Sequence, residues 1–436
     1  DVYNTAVGFN AGVAVTTGVQ NTLIGGLAGD ALTVGEKNIA LGYVALSSDT
    51  QGSKSTALGY AALNAQNFTS ATDTFNTAIG FEAGGAVTTG VSNTLIGGAA
   101  GDALTDADFN TAVGKDALSA DTLGSKSTAI GTGTLGAQNF TSATDTFNTA
   151  VGYFAGIAVT TGTHNTLIGG LAGDAITTGT YNNAIGYQAL SSNTTASFNV
   201  ANGHYALFAN TTGADNTAVG VGSLGANTTA SNNTAIGRLA LAANTTGAGN
   251  TAVGHKAGYS NTTATEMTAV GIEALYSNTT GNTNSALGRR ALYSTTTGVN
   301  NAGFGARTLY TNTTGSYNVS IGMDSLYSNT TASNNTAVGY NALFANTTGA
   351  QNTAVGTLAS DAITTGAENA SLGYWSLSGN TTGAYNTALG SRALTANTTA
   401  SNNTAVGYQS LHANTTGGNN TALGYTALAT NITGNY

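Results

Sequence analysis

The sequence predicts an all-β fold, a parallel β-solenoid (β-roll) of about 25 coils with 17 residues per coil, and three observations carry that prediction. A motif of the form Asn-Thr-Ala-Val-Gly recurs 25 times, from Asn4, Asn21, Asn38 and Ser55 through to Asn386, Asn403 and Asn420. Its fifth position is glycine in every repeat, as at Gly8, Gly25, Gly42, Gly220, Gly237, Gly339, Gly407 and Gly424. Only the intervals from Ser55 to Asn76 and from Ser127 to Asn148 depart from the period, and each is 21 residues long. A period this short means one supersecondary unit per repeat, stacked so that neighbours bury each other's faces.

The repeat beginning at Asn335 shows the elements in order. Thr336 to Val338 carries strand residues, and Gly339 ends the strand as a turn glycine. A second short strand is expected over Ala342 to Ala345, followed by a return through Asn346-Thr347-Thr348-Gly349, whose Asn and Gly supply positive φ and local hydrogen bonds. The position of Val338 is aliphatic nearly everywhere (Val7, Ile24, Leu41, Ile79, Ile236, Ile321), and that of Ala337 is apolar and mostly small, with Leu23, Leu95 and Leu167 as the larger members. Neighbouring strand residues point to opposite faces, so both faces read as buried. One face lines the core of the coil, and the other calls for a second layer or a partner chain. That argues for a homo-oligomer, in which alanine would allow close approach of chains. A helix is excluded by the recurrent Asn, Thr and Gly, each glycine costing about 1 kcal/mol inside a helix.

Along the chain, residues 1–181 carry a 72-residue super-repeat of three 17-residue units and one of 21, and residues 182–436 continue the same rod with regular 17-residue coils. The four extra residues of each long repeat, within Gln66 to Phe75 and Gln138 to Phe147, are expected to leave the coil as a loop on one edge. The asparagines at Asn193, Asn210, Asn227, Asn244, Asn261 and Asn278 should form a ladder along one edge, and 25 coils at ~4.8 Å should extend roughly 120 Å.

Composition narrows the function. Only 7% of the residues are charged, the formal net charge is −9, and ten Lys plus Arg make no basic stripe for nucleic acid. There is no cysteine, and no apolar run is long enough for a membrane span. Both ends fall within repeats that carry no polar cap, as expected of a segment of a longer protein.

Asn403-Thr404-Ala405-Val406-Gly407-Tyr408-Gln409-Ser410-Leu411 resembles the Asn-Ser-Val-Ala-Ile-Gly repeats of the head domains of YadA-like trimeric autotransporter adhesins. It is also similar to the Asn-Thr-Ala-Val-Gly-Tyr arrays of bacteriophage tail fibres and bacterial surface fibres. The resemblance covers all 25 repeats and implies a left-handed parallel β-roll packed as a homotrimer, with adhesive outer surfaces. This chain departs from it in its longer, 17-residue period.

Signals for chemistry are weak. Gly131-Thr132-Gly133-Thr134-Leu135-Gly136 and Gly220-Val221-Gly222-Ser223-Leu224-Gly225 match a dinucleotide-binding spacing, but no helix is expected after either. His164, His204, His255 and His412 are scattered, with His204 and His255 roughly 14 Å apart by strand spacing, too far to share a metal. Asp30, Asp102 and Asp174 recur through duplication, and the 12 Asn-Thr-Thr triplets match the N-glycosylation sequon through the repeat itself. No catalytic, cofactor or metal residue is assigned. The candidate contact column is the position after the glycine, occupied by Tyr43, Tyr60, Tyr153, Tyr187, Tyr340, Tyr408 and Tyr425, where an exposed ring could meet a cell-surface glycan or receptor. The expected function is a shaft or head of an extracellular fibre, structural or adhesive. An ice-binding array on Thr217, Thr234, Thr251 and Thr268 and a self-assembling extracellular filament subunit are the alternatives.

Overall fold

The computed structural model describes residues 2–435 and divides between residues 216 and 217 into two compact units. Each is a parallel β-solenoid, giving about 25 turns in all with no helix among the described residues. The first unit contains 12 three-residue strands, from Thr5–Val7 to Val200–Asn202, and the second 13, from Thr217–Val219 to Thr421–Leu423. Within each unit the strands pair in register with the equivalent residues of the neighbouring coil, as in Thr336↔Thr353 and Ala337↔Ala354. Across a 21-residue coil the register still holds, with Thr56 opposite Thr77.

Hydrogen bonding continues around the circuit beyond the strand. In the coil beginning at Asn335, the N–H groups of Thr336, Leu343, Ala345 and Thr347 donate to the following coil, to Asn352, Ala359, Asp361 and Thr364. Those of Gly339, Asn341 and Gln351 donate to the preceding one, to Ile321, Met323 and Ser333. A buried backbone needs such partners everywhere. Here neighbouring coils supply them even where the chain is not a strand.

The second strand expected over Ala342 to Ala345 does not form. The segment is a series of turns in which Asn341 (φ 54°) and Leu343 (φ 52°) are left-handed. Ala342 and Leu343 are adjacent, yet both are wholly buried. Strand alternation forbids that, whereas a left-handed residue redirects the chain so that consecutive side chains point inward. The conformation costs a non-glycine residue about 1–2 kcal/mol, and burial of the leucine against its neighbours offsets it.

The two strand faces are assigned opposite ways to the expectation. Ala337 and its equivalents, including Leu23, Leu95 and Leu167, fill the core of the coil. The Val338 position lies outward and is partly or well exposed, as at Leu41, Ile236 and Leu372. Within the chain, therefore, only the alanine face is buried. The circuit is so narrow that alanine suffices to fill its strand side.

Two asparagine ladders share the core with the alanine and leucine columns. The repeat-initial Asn335 donates through Nδ2 to Gly349 O at 3.0 Å, and its Oδ1 accepts the Asn352 N–H at 2.8 Å. The second ladder is the one expected along an edge, and it lies inside instead. Asn193, Asn210, Asn244 and Asn261 are wholly buried, with Asn210 donating to Asn193 at 3.2 Å and Asn261 to Asn244 at 2.7 Å. Each long coil has a glutamine at that position, Gln66 or Gln138, and the 17-residue coil before it a carboxylate, Asp49 or Asp121. Asp49 accepts from Gly52 N, Phe68 N and Gln66 Nε2, and Gln66 Oε1 in turn accepts from Asn76 Nδ2. Thr72–Asp73 pairs with Gly52–Ser53, and residues 67–71 form an outer loop pinned by the buried Phe68 ring.

Candidate binding surfaces

The glycine column marks a steric requirement. Gly339 has φ 136°, and a Cβ there would lie 2.5 Å from the carbonyl oxygen of Gly356 in the next coil. Neither condition admits an L side chain. Gly131 and Gly220 are members of the same column, and no helix follows either, so these loops offer no helix N-terminus to a phosphate.

The tyrosines after the glycine are exposed, but they do not make one surface. Tyr43 stacks on Tyr60 with ring centroids 6.0 Å apart, and Tyr60 on Phe81 at 5.1 Å. Tyr187 stacks on His204 at 5.5 Å and Tyr408 on Tyr425 at 5.4 Å. Tyr153 packs on its own neighbour Phe154 at 4.0 Å, and Tyr340 stacks on no ring among the described residues. Residues such as Arg238, Ile272 and Met323 interrupt the column.

A longer aromatic array lies where the second strand had been expected. Tyr259, Tyr276, Tyr293, Tyr310, Tyr327 and Phe344 occupy the tenth position of six successive coils in the second unit. Their rings stack with centroids 5.1–5.3 Å apart and planes within 15°. The 17-residue spacing of these aromatics is the sequence signal for them. Beside this row runs the seventh position of the same coils, Lys256, Glu273, Arg290, Arg307, Asp324 and Asn341, all left-handed. Arg290 Nε donates to Glu273 Oε2 at 2.6 Å and Arg307 Nη2 to Asp324 Oδ2 at 2.6 Å. Cation–π contacts link the rows, with Lys256 5.6 Å from the Tyr259 ring centre, Arg290 5.6 Å from Tyr293 and Arg307 5.8 Å from Tyr327. The hydrogen bond to Glu273 raises the Arg290 pKa, and burial raises that of the Tyr293 phenol. In the first unit a shorter stack joins Phe147, His164, Tyr181 and Phe198.

Asp30, Asp102 and Asp174 each carry a buried Oδ1 without a hydrogen-bond partner, and burial raises the pKa of Asp102. Asp102 lines a small cavity together with Glu82. Among the described residues no three His, Cys, Asp or Glu side chains come close enough to hold a metal ion. The asparagine of every Asn-Thr-Thr triplet is buried, as at Asn346 and Asn397, which closes the sequons of the folded chain to modifying enzymes. Among the described residues no helix is long and apolar enough to cross a membrane. No family model matches the chain, and no curated protein is similar to it.

Proposed function

We propose that the chain is a structural and adhesive segment, shaft or head, of an extracellular fibre such as a phage tail fibre or a bacterial surface adhesin, and that it acts without catalysis. One observation carries the reading: a core of repeated Gly, Ala, Leu and Asn columns supports outer columns whose residues change from coil to coil. Such a scaffold displays side chains at fixed intervals. The resemblance to fibre repeats points the same way.

The outward aliphatic column supports self-association, with a homotrimer favoured by that resemblance. Exposed Leu41, Ile236, Leu287 and Leu372 present apolar surface that a second copy would cover. Light scattering with negative-stain microscopy on the purified chain tests both parts. An elongated trimeric particle is expected, and a compact globular monomer would sink the proposal.

A second reading draws on the outward threonines. Thr217, Thr234, Thr251 and Thr268 pair in register on the same outward face, a regular hydroxyl array of the kind an ice lattice could match. Concentrated protein that neither shapes ice crystals nor depresses their growth temperature eliminates it. A filament subunit would instead show end-to-end polymerisation.

A further inference from the structure

We propose that the edge of the second unit carrying the Tyr259 to Phe344 ring row binds a neutral oligosaccharide, with its principal subsite in the groove lined by Arg307, Asp324, Tyr327, Tyr340, Asn341 and Phe344. The inference deepens the adhesive reading and rests on it for its biological sense, although the groove can be tested separately. The groove has a volume of about 320 Å³, within the size range of small-ligand sites.

Its polar groups are incompletely satisfied. Asp324 is 6% exposed; its Oδ2 is paired with Arg307, while its Oδ1 is buried and has no hydrogen-bond partner. Asn341, the equivalent residue of the next coil, also has a buried Oδ1 without a partner. Unpaired buried acceptors also occur in other columns, as at Asn278, Asn346 and Asp361, but Asp324 and Asn341 are adjacent-coil equivalents that both line this groove, and the proposed donor to them is a ligand hydroxyl. Arg307 spends one N–H on Asp324 and retains others of its five. Acceptors beside a donor match vicinal hydroxyl groups, each of which can both donate and accept.

The apolar side of the groove fits the same ligand. Tyr340 is 45% exposed and unstacked, leaving its ring available to the C–H face of a sugar. Tyr327 and Phe344 stack at 5.3 Å and line the groove. Asp324 neutralises Arg307, which favours an uncharged sugar over an acidic one. Beyond the subsite, rings and polar side chains recur once per coil from Tyr259 and Lys256 onward, so a chain of sugar units can follow the two rows.

The test is calorimetric titration of the full chain with unbranched hexasaccharides of β-1,4-glucose, α-1,4-glucose, β-1,4-N-acetylglucosamine and β-1,4-mannose, with oligogalacturonate as the acidic comparison. At least one neutral hexasaccharide should bind, more tightly than its disaccharide. Tyr340→Ala and Asn341→Ala should each weaken it by about tenfold or more. Tyr340→Phe should retain binding, and Tyr385→Ala, at an exposed tyrosine of another column, should leave it unchanged. Thermal unfolding checks that the variants fold, and the exposed Tyr340 decides the matter should Asn341→Ala fail to fold. No neutral binding at about 10 mM, binding indifferent to Tyr340→Ala, or binding of oligogalacturonate alone overturns the inference. An elongated oligomer that binds no sugar leaves the fibre reading standing without this site. A globular monomer that binds sugar does the reverse.

Discussion

Single residues in this chain are constrained chiefly by the neighbouring coil. Gly339 faces a carbonyl across the coil interface at φ 136°, so Gly339→Ala should cost at least about 3 kcal/mol, combining backbone strain with displacement of the Gly356 oxygen. Denaturant unfolding followed by circular dichroism measures it, and a cost under 1 kcal/mol would show that the coils can separate to admit a methyl group. Asp361 follows Phe344 in the tenth column, and burial raises its carboxyl from 3.8 to about 6. Because its folded pKa lies above the unfolded one, its adverse effect on stability is absent below pH 3.8, grows between pH 3.8 and 6, and is full above 6. Asp361→Asn should therefore stabilise the protein at pH 7 by about 1 kcal/mol after allowing for solvent screening, and by almost nothing at pH 3.5. Equal gains at both values would assign the effect to packing rather than charge.

At the scale of one coil, the strand triplets and turn glycines are legible in the sequence, because a repeated motif reports a local conformation used many times. The course of the chain after the glycine is not. Ala342 to Ala345 has strand-like composition, yet left-handed Asn341 and Leu343 convert it into turns, a conformation that propensity disfavours and only burial with inter-coil bonding sustains. The aromatic row was hidden for the same reason, since Tyr293 and its equivalents fall inside that segment and read as ordinary strand residues. The seven tyrosines after the glycine were legible as an exposed column, but not their separation into small groups. The 21-residue coil is tied by Gln66, which bridges Asp49 and Asn76 in the core. Gln66→Leu leaves both partners short of a hydrogen bond, and a loss of about 2–4 kcal/mol is expected. Hydrogen exchange should rise first at residues 66–76; protection unchanged there would mean that Phe68 alone holds the loop.

For the whole molecule, the feature with the widest consequence is the outward aliphatic column. Ile236, Val253 and Val270 sit on successive strands of the second unit, with Ile236 41% exposed. Replacing all three with threonine keeps strand propensity and removes apolar surface. The triple variant should retain its circular-dichroism spectrum while the proposed self-association weakens in sedimentation experiments. An oligomer of undiminished stability would place the contact elsewhere.

The sequence by itself determined the period, the parallel stacking, the place of each strand triplet and the requirement for a turn glycine. These follow from repetition, because a motif repeated at fixed spacing must satisfy the same neighbours in every coil. Only the tertiary structure decided which strand face is inside, where the asparagines lie, and which aromatics share an edge. Those outcomes depend on the direction in which the chain curls after each glycine. Left-handed residues set that direction, sending alanine, leucine and asparagine inward and leaving valine, isoleucine and the tyrosine rings at the surface.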